Sequence, residues 1–98
     1  MINGKVAIVT GGSRGIGKSI VYKLASLGAD VAIIYAGNTE AAEIVCKDCI
    51  EKYKTEVKSY KCDVANFQEV KDTVGAIKSD FGTAHILINN AGVTRDGL

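Results

Sequence analysis

The stretch Thr10-Gly11-Gly12-Ser13-Arg14-Gly15-Ile16-Gly17 decides how the rest of this sequence is read. It follows a short apolar run, Val6 to Thr10. It precedes a segment in which Ile16, Ile20, Leu24 and Leu27 recur at helical spacing, with Gly28 as the stop. Strand, glycine-rich turn and helix in that order make a seat for an anion, because free N–H groups and the positive end of the helix dipole face the turn. Glycine belongs there because a Cβ would block both the tight turn and the close approach of a pyrophosphate.

The same residues admit a second reading. Gly12-Ser13-Arg14-Gly15-Ile16-Gly17-Lys18-Ser19 satisfies the P-loop pattern G-x-x-x-x-G-K-S/T letter by letter. Lys18 would then reach the β- and γ-phosphates and Ser19 would hold magnesium, as in a phosphohydrolase or kinase. Such a site also needs an Asp at the end of a strongly apolar strand. The candidate, Asp63, follows Lys58-Ser59-Tyr60-Lys61-Cys62, a polar run that suits the role poorly.

Beyond the loop, strand-like and helix-like segments alternate. Val31 to Tyr35 is a second apolar run, and Ala42, Val45, Cys46, Cys49, Ile50 and Tyr53 form one helical stripe. Val57 to Cys62 is a more polar strand, and Lys58, Ser59 and Lys61 assign it to a sheet edge. Asn66 with Glu69 resembles a capping box. It opens a helix whose apolar face is Phe67, Val70, Val74, Ile77 and Phe81, ended by Gly82. Ile86-Leu87-Ile88 is a fourth strand, apolar on both faces, leading into Asn89-Asn90-Ala91-Gly92. The order βαβαβαβ predicts an α/β fold. It is a Rossmann-like, doubly wound parallel sheet, partial, with its first four strands in the order 3-2-1-4.

Composition narrows the function classes. A chain of 98 residues holds one small domain at most, and 47% hydrophobic with 23% charged residues is globular composition. The net charge of +1, without a Lys/Arg cluster, gives no face for nucleic acid or an anionic membrane. No apolar run is long enough for a bilayer span or a signal-peptide core. Three cysteines, an odd number at irregular spacing, indicate a reduced, cytoplasmic setting. Cys46-Lys47-Asp48-Cys49 is a C-x-x-C, but both sulfurs fall on the apolar stripe and no second ligand pair accompanies them, so core packing is expected and no metal site.

Three motifs in order carry a family resemblance. Thr10-Gly11-x-x-x-Gly15-x-Gly17 resembles the T-G-x-x-x-G-x-G signature of the short-chain dehydrogenase/reductase family. Cys62-Asp63-Val64 is similar to its D-V step after the third strand, and Asn89-Asn90-Ala91-Gly92 to its N-N-A-G after the fourth. The run Ala91-Gly92-Val93-Thr94-Arg95-Asp96, and Asn38 after Tyr35-Ala36-Gly37, resemble the bacterial 3-oxoacyl-(acyl-carrier-protein) reductase branch. One departure is His85, where family members often carry Asp; an imidazole can still hydrogen-bond there.

The resemblance implies roles for named residues. Gly11, Gly12, Ser13 and Arg14 would line the adenosine phosphates, with Gly15 and Gly17 completing the loop and Ile16 opposite the pyrophosphate. Asp63 would accept from the adenine amino group beside the Val64 backbone. Asn90 with Ala91 and Gly92 would flank the ribose on the nicotinamide side, while Asn89 is expected to be structural. Asn38 would belong to the adenosine end. An NAD-type site places an acid about 20 residues past the glycine loop. Tyr35-Ala36-Gly37-Asn38 carries none, and Arg14 can pair with a 2′-phosphate, so the expected cofactor is NADP, as NADPH. The implied reaction is reduction of a 3-oxoacyl thioester on acyl carrier protein in fatty acid biosynthesis, by a homotetramer when full length. The family's proton donor is a Tyr-x-x-x-Lys pair assisted by a serine. Residues four beyond Tyr22, Tyr35, Tyr53 and Tyr60 are Ser26, Thr39, Val57 and Val64, none of them lysine. Residues 1–98 are therefore expected to be the amino-terminal part of a single NAD(P)-binding Rossmann domain, with the catalytic portion absent. The alternatives are another short-chain reductase of small ketones or sugars, or a non-catalytic nucleotide-binding fragment.

Overall fold

The computed structural model describes residues 1–90. Four strands and three helices alternate: β1 (Val6–Thr10), α1 (Gly15–Ser26), β2 (Asp30–Tyr35), α2 (Thr39–Tyr53), β3 (Val57–Lys61), α3 (Phe67–Phe81) and β4 (Ile86–Asn89). All strand pairs are parallel and the sheet order is β3-β2-β1-β4, as the sequence predicts, with the polar β3 at one edge. Among the described residues, no helix is long and apolar enough to cross a membrane.

β1 and β2 read as almost unbroken apolar runs because both their faces are covered. Val9, Val31 and Ile33 point to one side, where Val21 and Ala25 of α1 and Val45 and Cys49 of α2 close over them. Ile8, Ala32 and Ile34 point to the other, against Ile77 of α3 and Cys62 just after β3. α1 ends in a Schellman turn: Gly28 N–H donates to the Ala25 carbonyl and Ala29 N–H to that of Leu24.

Two apolar stripes differ from expectation. In α1 the buried line is Gly17, Val21 and Ala25, while Ile16 is 73% exposed and Leu27 caps the helix. The helix lies close on the sheet, so its contact line takes small residues where a hydrophobicity pattern looks for large ones. In α3 only Ile77 of the five stripe residues is buried, and Phe67 is 80% exposed. α3 covers only Ile8, Ala32, Ile34 and Cys62, a smaller patch than the stripe is long.

His85, the departure from the family pattern, does hydrogen-bond at its position. Its Nδ1 accepts from Val6 N–H at 3.0 Å while its own backbone N–H donates to the Val6 carbonyl at 2.8 Å, fastening the start of β4 to β1.

Cys46 and Cys49 belong to the core under α2, and neither forms a disulfide. Burial above all, helped by the Asp48 carboxylate, pushes the Cys49 thiol from 9.0 up to about 11. Thiolate is therefore scarce at neutral pH, and the pair should resist alkylation while the chain is folded. Cys46→Ala/Cys49→Ala should retain nucleotide binding at a cost of about 1 kcal/mol per site, read from denaturant melts. Because folding raises this pKa, the stability linked to it is complete below pH 9 and is lost as pH climbs towards 11. The melting temperature should fall across that window, and Cys49→Ala should flatten the fall.

Candidate functional site

The first turn of α1 takes up the end of the glycine loop from Gly15, with Arg14 as an N-cap in extended conformation whose side chain makes no cap bond. The N–H groups of that turn have no helical partner and are available to an anion. A cleft of about 850 Å³ opens in front of them, across the carboxyl ends of β1, β2 and β3. It lies where the chain, having run β1 to β3 in one direction, crosses to β4 on the other side of β1. That is the switch point at which open parallel sheets bind ligands.

The structure brings most of the expected residues to this cleft. Gly11, Ser13, Arg14, Gly15 and Ile16 form the wall from the loop. Asn38 comes from the end of β2, Asp63 and Val64 from the end of β3, and Asn90 from the end of β4. Gly12 and Gly17, expected with the rest of the loop at the cofactor, are buried behind the wall and do not line the cleft. A Cβ on Gly12 would stand 2.9 Å from Val21 Cγ2 and 3.0 Å from Ile33 Cγ2. One on Gly17 would run into the Gly11 carbonyl group. These two glycines let the loop, the helix and the sheet touch. Ala91 and Gly92, also assigned to the cofactor, lie outside the described residues, as does the Val93–Asp96 run.

Lys18 and Ser19 do not adopt the P-loop arrangement. The Lys18 ammonium stands over the Tyr22 ring, 5.9 Å from its centroid, and the Ser19 hydroxyl bonds back to the Gly15 carbonyl of its own helix.

Several side chains act at the rim in ways that no local sequence pattern signals. The Thr10 hydroxyl accepts from Asn90 N–H at 2.8 Å and donates to Asn89 Oδ1 at 3.2 Å, while Asn90 Nδ2 donates to the Gly11 carbonyl at 3.4 Å. Thr10 thus locks β4 to the start of the glycine loop, and Asn89 is structural as expected. Asn38 also caps α2, its Oδ1 accepting from Ala41 N–H at 2.9 Å. Ile34, Tyr35 and Cys62 complete the floor. Their only signal in the sequence is their place at strand ends. Among the described residues no group of three or more His, Cys, Asp or Glu could hold a metal ion.

Comparison with known proteins agrees with this geometry. The family pattern described as short chain dehydrogenase matches residues 5–98. The 3-oxoacyl-(acyl-carrier-protein) reductase FabG of Staphylococcus epidermidis is 44% identical over 94 residues, which are 96% of this chain and 38% of that protein. The chain therefore spans under two fifths of the length of that relative. The crystal structure of L-sorbose reductase from Gluconobacter frateurii, complexed with NADPH and L-sorbose, superposes with a TM-score of 0.88 at 36% identity, over 94% of this chain and 35% of that one. NAD+-bound xylitol dehydrogenase gives a TM-score of 0.86 at 38% identity, over 93% and 34%.

Proposed function

The chain belongs to the short-chain dehydrogenase family, and on that premise we propose that it forms the dinucleotide-binding part of an NADPH-dependent reductase of 3-oxoacyl groups carried on acyl carrier protein. The observation that carries the cofactor reading is the cleft itself, with a glycine loop and helix N-terminus on one side and the acid-free end of β2 on the other. The pyrophosphate would lie along Gly11, Ser13 and the first turn of α1, with Ile16 over it. The adenine would reach Asp63 and Val64, and the nicotinamide ribose Asn90. A 2′-phosphate near Gly37 and Asn38 would meet Arg14 across the cleft, where NAD-type sites present a repelling carboxylate. When bound, the cofactor supplies the hydride; these residues hold and orient it and exclude water from its phosphates. The 44% identity to a 3-oxoacyl reductase supports the substrate class. In the whole protein, acyl carrier protein would be the partner of a cytoplasmic homotetramer.

A second reading, reduction of a sugar or small ketone, draws on the likeness to L-sorbose reductase. Turnover of acetoacetyl-acyl carrier protein against L-sorbose by a full-length protein carrying these residues separates the two.

The cofactor reading is tested on this chain. Arg14→Ala should weaken NADPH binding about tenfold or more, the worth of a charge-assisted pair, and NADH binding much less, in a fluorescence titration. Equal losses for both nucleotides would overturn the assignment.

A further inference from the structure

The turn that carries Asp63 into the cleft is held by its own bonds and, from outside the cleft, by the side chain of Glu69. β3 ends at Lys61, and Cys62 N–H makes the last sheet bond, to the Tyr35 carbonyl at 2.8 Å. Asp63 N–H has no strand left to pair with. It donates instead to Glu69 Oε1, at 3.0 Å, six residues on and in the first turn of α3. The Asp63 carbonyl accepts from Asn66 N–H at 2.9 Å, and Asp63 Oδ1 accepts from Ala65 N–H at 3.0 Å. Asn66 Oδ1 in turn accepts from Glu69 N–H at 3.0 Å, as an N-cap should.

In a capping box the third-position Glu bonds the N-cap residue's own N–H. Here the Asn66 N–H is taken by Asp63, and Glu69 reaches past it to the residue that borders the cleft. The helix start would be capped without this bond. Its effect is to fix the backbone of Asp63 in the turn from which its carboxylate, one oxygen of it bonded to Ala65 N–H, is presented at the cleft.

We propose that Glu69 is a positioning residue for the adenine end of the cofactor, holding Asp63 so that its carboxylate and the Val64 backbone are presented to the 6-amino edge. This rests on the assignment of Asp63 to the adenine. It predicts that Glu69, outside the cleft wall, governs which purine the cleft accepts.

The test pairs NADPH with its hypoxanthine analogue, in which the 6-amino donor is a carbonyl that a carboxylate would repel. Both are titrated into the unaltered chain and into variants whose folding is checked by circular dichroism. The preference for NADPH should fall from about tenfold in the unaltered chain towards parity in Glu69→Ala. Glu69→Gln, which keeps an acceptor oxygen, should retain it. A Glu69→Ala chain that binds both nucleotides more weakly by the same factor would show a merely structural role and overturn the proposal. Loss of the preference in a folded Glu69→Gln would overturn it too, even if the alanine variant fails to fold. No preference in the unaltered chain would remove Asp63 from the adenine site, and the role of Glu69 with it, while leaving the phosphate seat intact.

Discussion

Gly17→Ala should abolish measurable nucleotide binding and destabilise the chain by about 3 kcal/mol, the upper end of overpacking costs. The added methyl would collide with the Gly11 carbonyl, lying 2.7 Å from its carbon, and would sit 2.9 Å from Asn90 Nδ2. Main-chain atoms cannot swing aside as a lysine tip can, so α1 must move off the loop and carry its N–H groups with it. Gly15→Ala is the internal control. Gly15 has a positive φ of 61° but open space around its would-be Cβ, so its cost is backbone strain alone, about 1 kcal/mol. Melting curves and NADPH titrations of the two variants separate collision from strain. A Gly17→Ala chain with unaltered affinity would mean that the nucleotide does not sit on this loop.

The 98-residue chain should show no reductase turnover, even with NADPH bound. Reduction of a ketone needs a proton donor beside the nascent alkoxide, with a pKa tuned downward towards the working pH. Two of the tyrosines here are arranged the other way. Tyr22 donates to Asp48 Oδ2 at 2.5 Å and Tyr60 to Asp80 Oδ2 at 2.6 Å. Burial, then the hydrogen-bonded carboxylate, pushes both phenols well above their ordinary range. Neither borders the cleft. Tyr35 does, but its hydroxyl is bonded to Thr39 Oγ1 at 3.1 Å and no lysine stands four residues on. Loss of nicotinamide absorbance with an acetoacetyl thioester should stay at the level of a protein-free blank. Turnover surviving purification from host reductases would reveal a donor not recognised among these residues.

How much of this is legible in the sequence follows from which signals are local. Strand order, edge position and cleft location come from periodicity and handedness, and β3 announces its edge through Lys58 and Lys61. The glycine loop is legible as an anion seat but not residue by residue. Gly12 and Gly17 read as ligand contacts, and the packing they make on α1 and the sheet is not announced, because a spacing motif does not say on which side of the wall a residue faces. The α1 stripe misleads for the same reason: Ile16 outweighs Gly17 on any hydrophobicity scale, although close approach to the sheet selects the smaller residue. Asn66 and Glu69 read as a cap, but the Glu69–Asp63 bond depends on where β3 stops. The Thr10 clamp joins residues 80 positions apart, beyond any local pattern.

That clamp has a kinetic consequence. The β1-α1-β2-α2-β3 portion closes through short crossovers, each strand pairing with the next in the chain. β4 reaches β1 only by closing a loop of 79 residues from Val6 to His85. Pairings of such long separation are formed late, after the local ones have shortened the effective loop. The proposed phosphate seat would thus be ready before its Asn90 wall arrives. A refolding chain should therefore gain affinity for an isolated pyrophosphate or adenosine phosphate in an early phase, and for the complete dinucleotide only when the fourth strand has docked.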